Sequence, residues 1–378
     1  MTGAYPFSGF DVCHLASAHE RNDIRIGIKM ARSAVDHGLS VAFIVADDGP
    51  CEVINGMQIV GVRRYRHRLA RMIFGPVGVY RAALRVNARI YKLHDPELLL
   101  LIPIIRLFSN AKFVFDSHED VPVQFLAKPY LNPALRRFGS WILKFLIHFL
   151  CARLDGVIAA TPYIRDKLKR ANPNVVDICN YPLLSEFTGG TSDDNQRRSI
   201  TYIGNIAESR GIFELLKAVE LVSHPIHVEL LGSFSERATE ARARAMPGWK
   251  HVTYHGWVGR KEVSEALHRS LVGIVALRPH PNYVDALPIK MFEYMGAGVP
   301  VIASDFPMWR QILDTADCGI LVDPLDPAAL ARAIDQIVEN PVRARDMGRN
   351  GEVAVNARFN WATEEAKLIA FYRELLHS

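Results

Sequence analysis

The stretch Asp285-Ala-Leu-Pro-Ile-Lys-Met-Phe-Glu-Tyr-Met-Gly-Ala-Gly-Val-Pro-Val-Ile-Ala-Ser304 sets a lysine and a carboxylate where one anionic ligand can meet both. Pro288 suits the first turn of a helix, because the N–H it lacks is one of those left unpaired there in any case. A helix that starts beside it and runs to about Met295 leaves free backbone amides at its mouth, with Asp285 in the loop just ahead. Lys290 then falls in the first turn, where a cation opposes the helix dipole by roughly 0.3–1 kcal/mol. A diphosphate docked on those amides offsets that penalty. Glu293 lies about five residues farther along, roughly 7–8 Å at 1.5 Å per residue, which is the reach from a phosphate to an attached ribose. An ionised carboxylate accepts two hydrogen bonds from a cis-diol. An exposed surface lysine is the alternative at position 290.

A second anion candidate is the loop Gly204-Asn-Ile-Ala-Glu-Ser-Arg-Gly211, which follows the apolar run Ser199–Ile203 and leads into a helical pattern. Arg210 brings the planar fork that grips phosphate oxygens in pairs, and Gly211 permits a tight entry into the helix. Taken alone, an arginine in such a loop is more often a surface residue. In the N-terminal half, Leu93-His-Asp-Pro-Glu-Leu98 and Phe113-Val-Phe-Asp-Ser-His-Glu-Asp-Val-Pro122 each carry polar groups at the end of an apolar run. Open parallel sheets bind ligands at the carboxyl ends of their strands, which makes His118 a contact candidate. His94 either lines the same opening or satisfies backbone groups at its strand end. A metal held by Asp116, His118, Glu119 and Asp120 is disfavoured, since neighbours in an extended segment point alternately to opposite faces.

The elements that must hold these residues alternate along the whole chain, strand-length apolar runs with helix-length periodic segments, as in parallel sheets with helical crossovers. Strands are expected near Phe10–Leu15, Val41–Val45, Arg89–Leu93, Lys112–Phe115, Asp155–Ala159 and Val175–Cys179. A second series follows at Ser199–Ile203, His227–Leu231, His251–Tyr254, Val272–Ala276, Val299–Ala303 and Ile320–Val322. The fold class is therefore α/β, two doubly wound parallel sheets in domains 1–180 and 181–360, with the Gly-, Ser- and Asp-rich Thr188–Asn195 as an exposed connection. Thr161-Pro162 and Asp326-Pro327 supply an N-cap and a first-turn proline, and Glu364 and Glu365 come early in the segment after Asn360. There is no P-loop, no GxGxxG after the first strand and no internal repeat, so nucleotidase, kinase and dinucleotide readings are disfavoured.

A chain of 378 residues with 49% hydrophobic and 22% charged residues is not largely disordered. Its five cysteines are scattered without a CxxC pair, which argues against a disulfide framework and a cysteine zinc site and for a reducing, cytoplasmic setting. The first residues lack a basic region followed by an apolar stretch, and no apolar run approaches the 20 or so residues that span a bilayer. The net charge of +5 divides into +9 for residues 1–180 and −4 for residues 181–378. Much of the excess lies in Arg63, Arg64, Arg66, Arg68 and Arg71, a run that suits an anionic surface such as the inner membrane leaflet or forms a solvated helical face. Leu135–Leu154 sets Trp141, Ile142, Phe145, Leu146 and Phe149 at helical spacing beside Arg136, Arg137 and Lys144, as a membrane-surface helix does, or a helix packed in the core. No aromatic-interleaved basic platform is present, so nucleic acid is not an expected partner.

Together these residues resemble the retaining glycosyltransferases of family 4, of the exopolysaccharide and capsule type. The resemblance covers nearly the whole chain and is strongest from Tyr202-Ile-Gly204 through Gly256-Trp-Val258 and Asp285–Ser304 to Gly319-Ile-Leu-Val-Asp-Pro324. It implies the GT-B architecture, two Rossmann-like domains facing a cleft, with a final helix at about 361–378 packed back on the first domain and a hinge near Asn180–Pro182 and near Asn356–Asn360. It places Asp285 and Glu293 at the family's paired acids, with aspartate one methylene shorter than the usual glutamate, and gives Asp285 and His118 to the donor sugar. Gly204 and Asn205, with Arg210, stand at its phosphate loop, Asn205 where an arginine is usual, and Lys290 supplies the missing charge. Leu287 joins Glu293 on the donor side. Ser17–Ile26 is similar to members with a polar Asp-x-Arg-Ile segment, so Asp23, Arg25 and His94 fall on the acceptor or phosphate side. The implied reaction moves a hexose from a nucleoside diphosphate donor to a glycan or polyprenyl-linked saccharide acceptor with its configuration kept, without a metal or other cofactor. A sugar-nucleotide epimerase of the same fold and a catalytically silent nucleotide-sugar-binding subunit are the rival readings.

Overall fold

The computed structural model describes residues 9–107, 109–126, 131–187, 197 and 199–378, with residues 68 and 69 described by backbone alone. The connection expected at Thr188–Asn195 lies outside the described residues. The chain divides into two units, residues 1–180 with 362–378, and residues 181–361.

In the first unit the strands are β1 (Phe10–Ala16), β2 (Val41–Ala46), β3 (Glu52–Ile54), β4 (Met57–Val62), β5 (Ala88–Leu93), β6 (Lys112–Ser117), β7 (Gly156–Ala159) and β8 (Val175–Asp177). They pair in the order β3-β4-β2-β1-β5-β6-β7-β8. Every pairing is parallel except β3 with β4. β2, Val-Ala-Phe-Ile-Val-Ala, is buried at every position, as a strand covered on both faces must be. The β3–β4 hairpin is absent from the expectations above. It turns at Asn55-Gly56, both at positive φ (51° and 79°), the pair that a tight hairpin favours.

The second unit carries β9 (Ser199–Ile203), β10 (His227–Leu231), β11 (Val252–Gly256), β12 (Ser270–Val275), β13 (Val301–Ser304) and β14 (Gly319–Val322), in the order β11-β10-β9-β12-β13-β14. Counted within the unit this is 3-2-1-4-5-6, the doubly wound order, and the direction of winding reverses between β9 and β12. In the first unit it reverses between β1 and β5. Each reversal opens a crevice at the carboxyl ends of two strands, and the candidate residues leave their strands there.

The helix caps follow their residue types. Thr161 Oγ1 accepts from the Ile164 amide at 3.3 Å and Asp326 Oδ1 from the Ala328 amide at 2.9 Å. The last helix, Trp361–His377, belongs from Ala362 onward to the first unit, where Glu364 Oε2 accepts from the Cys179 amide at 2.7 Å. The helix Pro133–Cys151 buries only Ser140, Ile147, Leu150 and Cys151. Phe138, Trp141 and Phe145 stand 59%, 65% and 66% exposed, so its aromatic face is not core. Arg63, Arg64 and Arg66 lie outside any strand or helix, in the connection after β4, and a helix begins only at Arg68. Among the described residues no helix is long and apolar enough to cross a membrane.

Candidate active site

In the second unit the loop after β9 sits at the winding reversal. Gly211 takes φ 77°, and a Cβ there would stand 2.0 Å from the Ala276 carbonyl oxygen, so only glycine lets the loop close against the residue that follows β12. Gly211→Ala is expected to lower the melting temperature and nucleotide affinity together, with left-handed strain of about 1–2 kcal/mol as the smaller part of the effect. A melting curve identical to that of the wild type would contradict the packing described here. Tyr202 ties the loop to its strand, its hydroxyl lying 3.1 Å from the Asn205 carbonyl and 3.3 Å from that of Arg210. Asn205 itself is exposed, and its Oδ1 accepts from Ser235 Oγ at 2.8 Å.

The helix Ile289–Gly296 starts after Pro288, which serves as its N-cap. Tyr294 pins it to β9, accepting from the Ile203 amide at 2.9 Å and donating to the Thr201 carbonyl at 3.1 Å. Trp309 Nε1 donates to the Ala286 carbonyl at 2.7 Å and so holds the turn that carries Asp285 and Leu287. Asp285 follows a short helix, Pro281–Val284, and is half-buried. Among the described residues no hydrogen bond or ion pair engages its carboxylate.

Lys290 is not a surface residue. It is 5% exposed, its Nζ has no hydrogen-bond partner, and it lies 3.9 Å above the centre of the Tyr202 ring. Burial, and then Arg210, push its ammonium down to about 7, with Glu293 opposing. The Arg210 guanidinium is 5.6 Å from the centre of the Tyr283 ring. Two cations thus share one crevice, and among the described residues neither has a carboxylate within ion-pair distance. One helical turn on, Glu293 is 3% exposed and meets Arg260 Nη1 at 2.7 Å, while Arg260 also pairs with Glu186. Sequence reading missed Arg260: it opens the helix Arg260–Arg269, far from Glu293 in the chain and outside any motif.

In the first unit, side chains at the carboxyl ends of β1, β5 and β6 converge on Asp116, which is fully buried. Its Oδ1 accepts from Arg25 Nη2 at 2.9 Å, and its Oδ2 lies 3.3 Å from each of Lys92 Nζ, His94 Nδ1 and His118 Nε2. Burial alone would raise its carboxyl, yet Arg25, Lys92 and His118 hold it well below the usual range. Burial takes His14 and His94 well below the ordinary imidazole value and Lys92 down to about 8. The His14 and His94 rings are stacked, with Nδ1 and Nε2 2.9 Å apart. His118 opens into a cavity of about 550 Å³, lined also by Ala18, His19, Asp23 and Arg25. Burial works against a charged His19, but Asp95 at 3.1 Å lifts it above its ordinary value.

Arg25, Asp23 and His118 therefore reach one cavity, with Asp23 Oδ1 also accepting from the Ile26 amide at 2.9 Å. His94 does not line the opening. Its side chain is wholly buried behind His118, 3.2 Å from Nδ1 to Nε2, because it completes the packing around Asp116. His14, His19 and Asp95 were also missed, although the polar run from Ser17 and the i, i+2 spacing of Asp116 and His118 pointed there. His94, Asp116 and His118 each offer one donor atom, all within 4.8 Å of one another, near enough to hold a metal ion. Two buried cations already balance Asp116, and a dication added there would meet their repulsion. Glu119 and Asp120 turn away, toward Gln124 and Lys167.

The family described as Glycosyl transferases group 1 matches residues 189–353. A GDP-mannose-dependent alpha-(1-6)-phosphatidylinositol monomannoside mannosyltransferase of Mycobacterium tuberculosis is 32% identical over 339 residues, 83% of this chain and 84% of the relative. A phosphatidyl-myo-inositol mannosyltransferase of the same organism is 27% identical over 214 residues, and there the match spans only about half, 54%, of the relative's length and of this chain. Among solved structures, a sucrose-phosphate synthase from Thermosynechococcus elongatus superposes with a TM-score of 0.78 at 18% identity, covering 97% of this chain and 99% of that one. The two parallel-sheet α/β domains are those of the GT-B fold, and the chain belongs to the group 1 glycosyltransferases.

Proposed function

We propose that this protein is a retaining hexosyltransferase of family 4, which takes a sugar from a nucleoside diphosphate and sets it on a hydroxyl of a glycan or lipid-linked saccharide during surface-glycan synthesis. The observation that carries this reading is the buried Lys290, over the Tyr202 ring and without a hydrogen-bond partner, beside Arg210, at the winding reversal and one turn from Glu293. A desolvated ammonium is unfavourable unless paired, and a diphosphate supplies the pair. The mycobacterial relative's name gives GDP-mannose as its donor and a phosphatidylinositol mannoside as its acceptor, one example each of the classes proposed here.

In this reaction the bond from the anomeric carbon to the phosphate oxygen breaks while a bond to the acceptor oxygen forms on the same face. The acceptor's proton passes to a phosphate oxygen. Negative charge gathers on the departing diphosphate, and Arg210, Lys290 and the first amides of Ile289–Gly296 are assigned to stabilise it. Glu293, with one oxygen fixed by Arg260, takes the ribose hydroxyls, and Asp285, whose carboxylate is uncommitted, takes sugar hydroxyls. In the first unit His118 is assigned to the sugar and Arg25 and Asp23 to the acceptor side. Protein cations do the charge work, so the rate is expected to be unchanged by EDTA.

The exposed aromatic face of Pro133–Cys151, flanked by Arg136, Arg137 and Lys144, fits peripheral contact with an anionic membrane that carries a lipid-linked acceptor. Flotation with vesicles containing anionic lipid is expected to carry the protein upward, and Trp141→Ser with Phe145→Ser to weaken this at least tenfold, at about 1.5–3 kcal/mol per large apolar side chain buried. Equal flotation of wild type and variant would remove the membrane assignment. The reaction itself is tested by a thermal-shift screen of GDP-, UDP- and ADP-sugars, followed by NMR of the product linkage. One donor at 100 times its dissociation constant is expected to add about 2.7 kcal/mol of stability. The product should keep the donor's anomeric configuration. Inversion, or conversion of the donor without an acceptor, would overturn this reading.

A further inference from the structure

Lys290 and Glu293 stand three residues apart on the helix Ile289–Gly296, the spacing at which opposite charges on one helix face meet. Both are buried, where water screens an attraction little. Yet they do not pair. Among the described residues Lys290 Nζ has no hydrogen bond and no carboxylate within ion-pair distance, although Glu293 is near enough to act on its charge. The carboxylate is drawn elsewhere. Glu293 Oε1 accepts from Arg260 Nη1 at 2.7 Å, and the second arm of the same guanidinium, Nη2, donates to Glu186, 74 residues earlier in the short turn Leu184–Glu186. Arg260 opens the helix Arg260–Arg269, and a cation in a first turn opposes the helix dipole, so the two carboxylates are what hold it there.

We infer that Arg260 is a positioning residue: its two-armed hold on Glu293 and Glu186 keeps the Glu293 carboxylate off Lys290 and so leaves the lysine ammonium open to an anion. The charged groups that face the ammonium are Arg210, from the loop after β9, and Glu293 on its own helix. The Tyr202 ring of β9 lies against it, with a hydroxyl that burial pushes above its ordinary value. Without Arg260, the cation that Glu293 meets one turn back on its own helix is Lys290, and a pair between them compensates two buried charges at once. That pair would close the anion site from inside, because a lysine that neutralises Glu293 is no longer free to neutralise a phosphate. Arg260 does this while occupying only one carboxylate oxygen. Among the described residues Glu293 Oε2 takes no hydrogen bond, which leaves it to a ligand hydroxyl. That the anion is a diphosphate rests on the transferase reading, whereas the hold on Glu293 does not.

The test has a ligand-free arm and a ligand arm, both on the full chain. NMR of protein labelled with carbon-13 lysine follows the Lys290 ε-methylene through pH, its signal assigned by its absence in Lys290→Met. The wild type is expected to titrate at about 7, Arg260→Gln close to the ordinary 10.5, and the double variant Arg260→Gln, Glu293→Gln low again, because the carboxylate that pairs with the lysine is gone. In calorimetry near neutral pH, inorganic pyrophosphate should bind the wild type, bind Arg260→Gln at least about tenfold more weakly, and recover in the double variant. A merely structural role for Arg260 would not give that recovery. Arg260→Lys, which keeps a cation beside Glu293, should lie nearer to the wild type than Arg260→Gln does. The Arg260 side chain is 44% exposed, so its loss opens no cavity, and Arg260→Met is the second variant should the glutamine one melt early. A Lys290 titration that Arg260→Gln leaves where it was, or a double variant that titrates and binds as Arg260→Gln does, would overturn the inference. Wild-type protein that binds no pyrophosphate, while the titration shifts as expected, would leave the hold on Glu293 standing and remove the diphosphate reading.

Discussion

Replacing Lys290 with methionine is expected to weaken nucleoside-diphosphate binding by about 10–100-fold, since hydrogen bonds to charged groups contribute roughly 1.5–3 kcal/mol, while the melting temperature holds or rises. The two halves of this result have one cause. In the free protein the ammonium is buried against the Tyr202 ring without a hydrogen bond, so a near-isosteric thioether relieves desolvation. In the complex the same ammonium faces a diphosphate, and its loss is felt fully. The pH dependence has a definite sign. Burial sets Lys290 at about 7 against an ordinary value of 10.5, so between these limits the unfolded chain binds the extra proton and this group's contribution to stability rises with pH. A bound diphosphate restores the charge. Nucleotide binding near pH 8.5 should therefore take up a proton, read as an enthalpy that varies with the buffer's ionisation heat, and the affinity should fall as the pH rises above 7. Lys290→Met should bind without proton uptake. Wild-type binding that is proton-silent, with equal affinity in the variant, would remove Lys290 from the site.

Asp116→Asn is expected to destabilise the first unit by about 3–5 kcal/mol, the range for breaking a buried ion pair from one side. The substitution keeps the shape but strands Arg25 and Lys92, both buried, without the carboxylate that faces them. Against a typical domain stability of about 5–15 kcal/mol this is a large fraction, visible as an early unfolding transition in urea. Adding Lys92→Met should recover part of the loss, because one stranded cation is removed. Since Asp116 is held well below 3.8, its contribution is present above that pH and is lost as the pH falls through its lowered value. A single variant that unfolds within 1 kcal/mol or so of wild type would mean that the carboxylate is not what keeps these cations buried.

The parallel sheets were legible because buried strands are near-continuous apolar runs, and the Thr161 and Asp326 caps because their chemistry is local. The β3–β4 hairpin was not, since its short edge strand alternates half-exposed residues and its one clear mark is Asn55-Gly56. Lys290 and Glu293 were found by their spacing on one helix, but the burial of Lys290 depends on Tyr202, 88 residues earlier, and the hold on Glu293 depends on Arg260, 33 residues earlier. The ring of histidines on Asp116 gathers groups from three strand ends, and no window of sequence contains it. His94 was left open between two readings for this reason: a residue at a strand end faces either the crevice or the group behind it, and the sequence does not say which.

The most direct measurement is a crystal structure of the protein with the nucleoside diphosphate that gives the largest thermal shift. The phosphates should lie within hydrogen-bond distance of Lys290 Nζ and the Arg210 guanidinium, at the mouth of Ile289–Gly296, with the ribose diol on Glu293. A nucleotide bound elsewhere, with Lys290 still buried and unpaired, would contradict the account.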